Sequence, residues 1–323
     1  MQMHRRTVLG GMAASAIATP SLVRAAEPLA IGIVPANAIH WVQLVATDLG
    51  FYKEEGFDPS IQTIQSSPQS IQFAITGQYQ IATAQPEVIV AAVEQGATQL
   101  ASLAAPTNSS DWVLVGAREV KTLADLKGKI VGVSSLRTSE AWLTTALMQQ
   151  KGFPKDAVKY QPAGTSPAKV ASLEVGNIAA AVLFQPSAEV AIRAGLPVLA
   201  RFEGMRAYPT VLYNVNREWA AKGDAGQRVS RAIQKAHRWL YDAANKKQAM
   251  EISAKYTKRE IPVVETVYED FFVRGKIYST TGEISVEGYQ NAINDMAEDG
   301  AVFKVAPKAD KYLLDRKLGG LFI

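Results

Sequence analysis

KIVGVSSLRTSEAWL, residues 129–143, passes through three kinds of backbone in one short stretch. Ile130, Val131 and Val133 form a β-branched run that reads as a strand. Two serines stop it and Arg137 follows. Thr138 and Ser139 then stand where a helix N-cap belongs, ahead of Ala141, Trp142 and Leu143. Strand, hydroxyl-rich turn and helix start make one unit of an α/β fold. The turn offers hydroxyls, a guanidinium and helix amides to something negative or strongly polar.

The same order recurs along the chain. LAIGIV (29–34) reads as a strand, followed by a helical pattern from Ile39 to Leu49 that Gly50 closes. A second strand is expected around Ser60–Gln65, after which Ser66 and Ser67 suit an N-cap and Pro68 the first helical turn. YQIATA (79–84) is the next strand, and Pro86 opens a helix that runs to Gly96. A second unit begins near Asp111 with DWVLVGA and continues through the opening stretch, SPAKVASLEVG and IAAAVLFQP to PVLARF. PTVLYNV (209–215) leads away from it, and from Asn216 the pattern is helical almost to the end, with Val229, Ile233, Ala236 and Leu240 at helical spacing. Alternating strands and helices predict mostly parallel sheets covered by helices. With 323 residues the chain is long enough for two lobes. The lengths near 111–117 and 208–215 are the expected crossovers between them.

Apolar residues make up 48% of the chain and charged ones 20%, which suits a packed globular protein. Its first 25 residues read as an export signal: basic His4-Arg5-Arg6, the apolar run Val8–Ala18, then Val23-Arg24-Ala25 as a cleavage site. Arg5-Arg6 followed by Thr-Val-Leu resembles a twin-arginine signal, so export to a periplasm is expected. The formal charge is +4; without Arg5, Arg6 and Arg24 the 34 basic residues fall to 31, against 30 acidic ones. That balance, with no run of five like charges, argues against a nucleic-acid partner. No cysteine is present, which excludes disulfides, thiolate metal sites and a cysteine nucleophile.

Longer phrases carry a resemblance. GFYKEEGFD (50–58), ITGQYQIATA (75–84), LADLKGKIVGV (123–133) and LEVGNIAAAVLFQPSAEVAIRAGLPVLA (173–200) resemble the periplasmic solute-binding proteins of bacterial ABC importers. The similarity is greatest to the branch that binds sulfonates, taurine, nitrate and thiamine-precursor pyrimidines. It implies a type II periplasmic-binding-protein fold: two α/β lobes joined by a two-strand hinge, closing on one small molecule and docking on a permease of the inner membrane. On that reading 26–110 plus 214–323 form one lobe and 111–213 the other, and the protein acts as a monomer without a cofactor. The chain departs from the family at Gln78-Tyr79-Gln80, where members often carry an acidic residue.

In open α/β sheets a ligand sits beyond the carboxyl ends of the strands. The first lobe then offers Asn37, His40, Trp41, Ser66, Ser67 and Gln85. The second offers Ser134, Ser135, Arg137, Thr138 and Ser139, then Thr165 with Ser166, and Gln185. Ser66-Ser67-Pro68 is explained equally by helix capping. Arg137 brings a full charge and a planar donor fork, or is a solvated surface arginine. Trp41 is expected to stack in the pocket, the alternative being the core. His40 donates to an oxyanion or meets a backbone carbonyl. Glu140, in the first turn of its helix, counts against an anion there. Micromolar binding requires about 8 kcal/mol, and one charge-assisted arginine bond contributes roughly 1.5–3. Arg137 and the serines therefore need Trp41 and the opposite lobe. Trp112, Trp142 and His237 are expected to be packing residues.

The leading expectation is capture for import of a small organic anion, sulfonate-like or carboxylate, or of a nitrate-type solute. The alternative is a thiamine-precursor pyrimidine or another small aromatic. An enzyme on the same fold is disfavoured, since a desulfinase and a pyrimidine synthase of this fold depend on cysteine. No nucleophile triad, zinc spacing or phosphate loop stands out either.

Overall fold

The computed structural model describes residues 26–33, 38–300 and 302–323. The expected export signal (1–25) and Asn37 lie outside the described residues. The strands are β1 (Glu27–Ile33), β2 (Phe57–Thr63), β3 (Ile81–Ala84), β4 (Leu100–Ala104) and β5 (Val113–Gly116). They continue as β6 (Ile130–Val133), β7 (Lys159–Pro162), β8 (Ala180–Leu183), β9 (Val198–Arg201) and β10 (Leu212–Asn216).

Two five-stranded sheets result, ordered β2-β1-β3-β10-β4 and β7-β6-β8-β5-β9. In each, four strands run in the same direction and one antiparallel strand is inserted among them. β10 opposes β3 and β4 in the first, and β5 opposes β8 and β9 in the second. The two expected crossovers thus lie partly in the passages between sheets, at 111–112 and 208–211, and otherwise become β5 and β10. The chain passes between sheets over 105–112 and again over 202–211. The second strand begins earlier than expected because its register with β1 runs from Glu27 opposite Phe57 to Ile33 opposite Thr63. Pro59 is tolerated there because β2 is an edge strand.

The helices are α1 (Trp41–Asp48), α2 (Phe51–Glu54), α3 (Ser67–Ile75), α4 (Pro86–Glu94), α5 (Ser139–Gln150) and α6 (Ser166–Glu174). They go on as α7 (Ser187–Arg193), α8 (Arg217–Ala221), α9 (Ala225–Tyr241), α10 (Lys246–Thr257), α11 (Ile261–Tyr268) and α12 (Val286–Asp299). α9 buries the stripe Val229, Ile233, Ala236 and Leu240 against α1 and the first sheet. Removing each larger apolar side chain from water contributes roughly 1.5–3 kcal/mol. The opposite face of that sheet is covered by α3, α4, α12 and the C-terminal segment, with Ile71, Ile89, Ile293 and Tyr312 in one cluster. The second lobe has its own core around Leu114, Val131, Leu147 and Val182.

α12 belongs to neither lobe alone. It packs on α4, yet its Ala292 joins the core of the second lobe. Its Asp295 pairs with Arg206 and its Asp299 with Arg137.

Candidate functional site

A hollow of about 1030 Å³ lies between the lobes, where the carboxyl ends of the strands lead into α3, α4, α5 and α6. From the first lobe His40, Ser66, Ser67 and Gln85 line it; from the second come Ser134, Ser135, Arg137, Thr138 and Thr165. Ser166 joins them. Ile71, Val88, Trp142, Phe184 and Met296 supply apolar wall.

Local sequence fixes these positions. Ser66 is the N-cap of α3, extended at φ −159°, and its hydroxyl accepts from the Gln69 amide at 3.4 Å. Capping therefore accounts for part of its capacity. Thr165 precedes α6 in extended backbone without a side-chain cap bond, and Ser166 Oγ accepts from the Phe184 amide at 3.1 Å. Both helices place proline in the first turn, which fixes the backbone without losing a needed donor.

The turn of the opening stretch already holds carboxylates from within the chain. Ser134 donates through its amide to Glu140 Oε2 at 2.9 Å and through its hydroxyl to Oε1 at 2.6 Å. Lys169 Nζ completes the group at 2.8 Å from Glu140 Oε2, with both side chains fully buried. Ser139, the first residue of α5, donates its amide and its hydroxyl to Glu87 Oε1, each at 2.9 Å. Glu87 comes from α4 of the opposite lobe and lines the hollow. Burial pushes its carboxyl up to about 7, opposed mainly by the Ser139 amide. His40 is pulled down to about 3 by burial, so its imidazole is neutral at ordinary pH.

Three expected site residues stand away from the hollow. Trp41 is fully buried in the first-lobe core, edge-on to Tyr268 and Phe272, and its Nε1 donates to the Ala249 carbonyl at 2.9 Å. Its polar neighbour His40 points to the hollow, but α1 is enclosed by α9 and α10, so the next residue round the helix faces core. Ser139 is spent on Glu87. Gln185 is buried, its Oε1 accepting the Glu189 amide at 3.1 Å and its carbonyl taking the Ala38 amide of the other lobe at 2.9 Å. Arg137 reaches the hollow only at its rim; 68% of its side chain is exposed and its Nε lies 3.5 Å from Asp299.

Sequence reasoning missed Glu87, Trp142 and Phe184. Trp142 was expected to be packing, yet it packs on the first lobe's second cluster and also walls the hollow. All three sit within a turn of a candidate that the strand-end rule had found. His237 is the structural residue expected, its Nδ1 2.6 Å from the Ser279 carbonyl.

Residues 37–246 match the model of the NMT1/THI5-like family. The chain belongs to that family. No curated protein matches it. Among solved structures, the aliphatic sulphonate binding protein SsuA of Escherichia coli is similar at 19% identity. The match covers 90% of this chain and 92% of that one, with a TM-score of 0.72. The nitrate-binding protein NrtA of Synechocystis aligns at 13% identity over 92% of this chain and 86% of its own, with a TM-score of 0.75. A ligand-binding component of an ABC-type import system from Staphylococcus aureus, solved with zinc, aligns at 13% identity. That alignment covers 91% and 98% of the two chains, with a TM-score of 0.76. These likenesses show that this NMT1/THI5-like chain has the two-lobed periplasmic-binding-protein fold. The family resemblance and fold class expected from the sequence are both borne out.

Proposed function

We propose that this chain is the solute-binding component of an ABC importer, exported to the periplasm, which captures one small organic solute and hands it to a membrane permease. One observation carries the reading: polar loop tips of two separate lobes, Ser66, Ser67 and Gln85 against Ser135, Thr138 and Thr165, meet around one hollow. Neither lobe encloses a guest alone. No helix among the described residues is long and apolar enough to cross a membrane. The family and the folds of SsuA and NrtA support the same reading.

Size and lining favour an organic solute over a bare inorganic ion such as nitrate. A hollow near 1030 Å³ is of the class that takes drug-sized molecules, roughly 300–1,000 Å³. Apolar wall from Ile71, Val88 and Phe184 suits a hydrocarbon body. A sulfonate or carboxylate head would meet the hydroxyls at the starts of α3 and α6 rather than Arg137, whose charge is solvated. The second reading, a small heteroaromatic, is favoured by Trp142, which takes the stacking role expected of Trp41. A thermal-shift panel of alkanesulfonates, carboxylates, nitrate and pyrimidines tests this. An organic member raises the melting temperature without being consumed. Turnover of the bound compound, or a response to nitrate alone, would sink the reading.

A further inference from the structure

The end of α5 that faces the hollow has its donors filled from the opposite lobe. Glu87 belongs to α4, and Ser139, 52 residues further on, opens α5. The carboxylate receives both the amide and the hydroxyl of Ser139, at the place where the dipole of a 12-residue helix is positive. The N-cap residue Thr138 contributes nothing to that end, because its hydroxyl is turned to the Ser135 carbonyl at 2.9 Å. Glu87 and Ser139 are 4% and 0% exposed.

Among the described residues no cation pairs with this carboxyl. Lys169 is committed to Glu140, and Arg137 is at the rim beside Asp299. The other titratable groups facing Glu87 are Glu140 of α5, Tyr208 of the second crossing and Tyr289 of α12. Of these, Glu140 pushes the Glu87 carboxyl further up, and burial holds both phenols above their ordinary range.

We infer that Glu87 is a specificity-determining residue, a buried carboxyl group that takes both Ser139 donors at the α5 end of the hollow and so bars the anionic group of a solute from them. A solute that needs this helix end must displace a buried carboxylate. One whose polar group is read at α3 or α6 leaves it in place, and Glu87 then still ties the two lobes together through Ser139. The inference rests on the hollow being the solute site, but its test uses no cognate solute.

Inorganic sulfate is the anion, titrated calorimetrically at fixed ionic strength and about pH 8.5, where the Glu87 carboxyl is ionised, into wild type, Glu87→Ala and Glu87→Gln. Vacating the helix end exposes two donors, and sulfate binds Glu87→Ala at least about tenfold more tightly than wild type, the worth of one charge-assisted bond. Glu87→Gln, nearly isosteric and so the safer variant to fold, removes the charge but still fills part of the space. Its affinity falls between the other two. Adding Ser139→Pro to either variant deletes the amide and hydroxyl together and abolishes the gain. Proline is compatible with the first helical position, and Thr138 before it is already extended at φ −134°, ψ 160°. Sulfate affinity equal to wild type in both Glu87 variants, or a gain that survives Ser139→Pro, overturns the inference. An absence of any organic ligand in the thermal-shift panel would instead count against the importer reading.

Discussion

Lys169 of α6 and Glu140 of α5 form an ion pair at 2.8 Å in which neither side chain touches solvent. The pair also orders the turn after β6, because Glu140 holds both donors of Ser134. Taking two charges out of water is costly, and removing one partner leaves the other stranded. Lys169→Met is therefore expected to destabilise the protein by about 3–5 kcal/mol. Urea unfolding measures this, and a loss below about 1 kcal/mol would contradict the burial of the pair.

Trp41 and Trp142 separate stability from binding. Trp41→Ala removes a fully buried ring and is expected to cost about 3–5 kcal/mol. Affinity of the folded fraction for any organic ligand found should then hold within a factor of two. Trp142→Phe should do the reverse, weakening an aromatic ligand several-fold with little change in melting temperature. Calorimetry with thermal melts on both variants reads the split, and equal effects on both quantities would refute it.

For Arg137 the sequence left two readings open, an anchor for an anion or a solvated surface arginine. An exposed charge already 3.5 Å from Asp299 contributes little, since solvent screens it. Arg137→Ala should change solute affinity by less than about threefold. A loss above tenfold in calorimetry would return it to the site.

Asp111 lies at the first crossing between sheets, buried, and among the described residues no side chain or amide of another residue bonds either carboxylate oxygen. Burial raises its carboxyl to about 7 from an ordinary 3.8. The folded state thus binds this proton more tightly than the unfolded one. The associated stability is fully present below about pH 4 and is lost as pH rises through 7. Asp111→Asn removes that loss, so its melting temperature should gain on wild type by at least about 3 °C between pH 5 and pH 8. A constant gap would show that the group does not titrate in this range.

Much of the architecture was legible because each element carries its own local signal. Ser66 and Pro68 marked the start of α3, and the stripe Val229, Ile233, Ala236, Leu240 marked the buried face of α9. The strand-end rule led to Ser135, Thr138 and Thr165 because parallel sheets present their loops on one side. It could not distinguish a spare hydroxyl from a spent one. Whether Ser134 and Ser139 are free depends on Glu140, Lys169 and Glu87. The last two approach from 35 and 52 residues away, a distance that no periodicity encodes. Trp41 misled for a related reason. A polar neighbour suggests an edge, whereas α1 is roofed by helices from the far end of the chain.

α12 has a mechanical consequence. Because it rests on α4 while lending Ala292 to the other core and Asp295 to Arg206, it acts as an axle running beneath the jaws. The two halves cannot simply draw apart without unseating it. Any change in the angle between them has to carry α12 along with one half and slide it over the other.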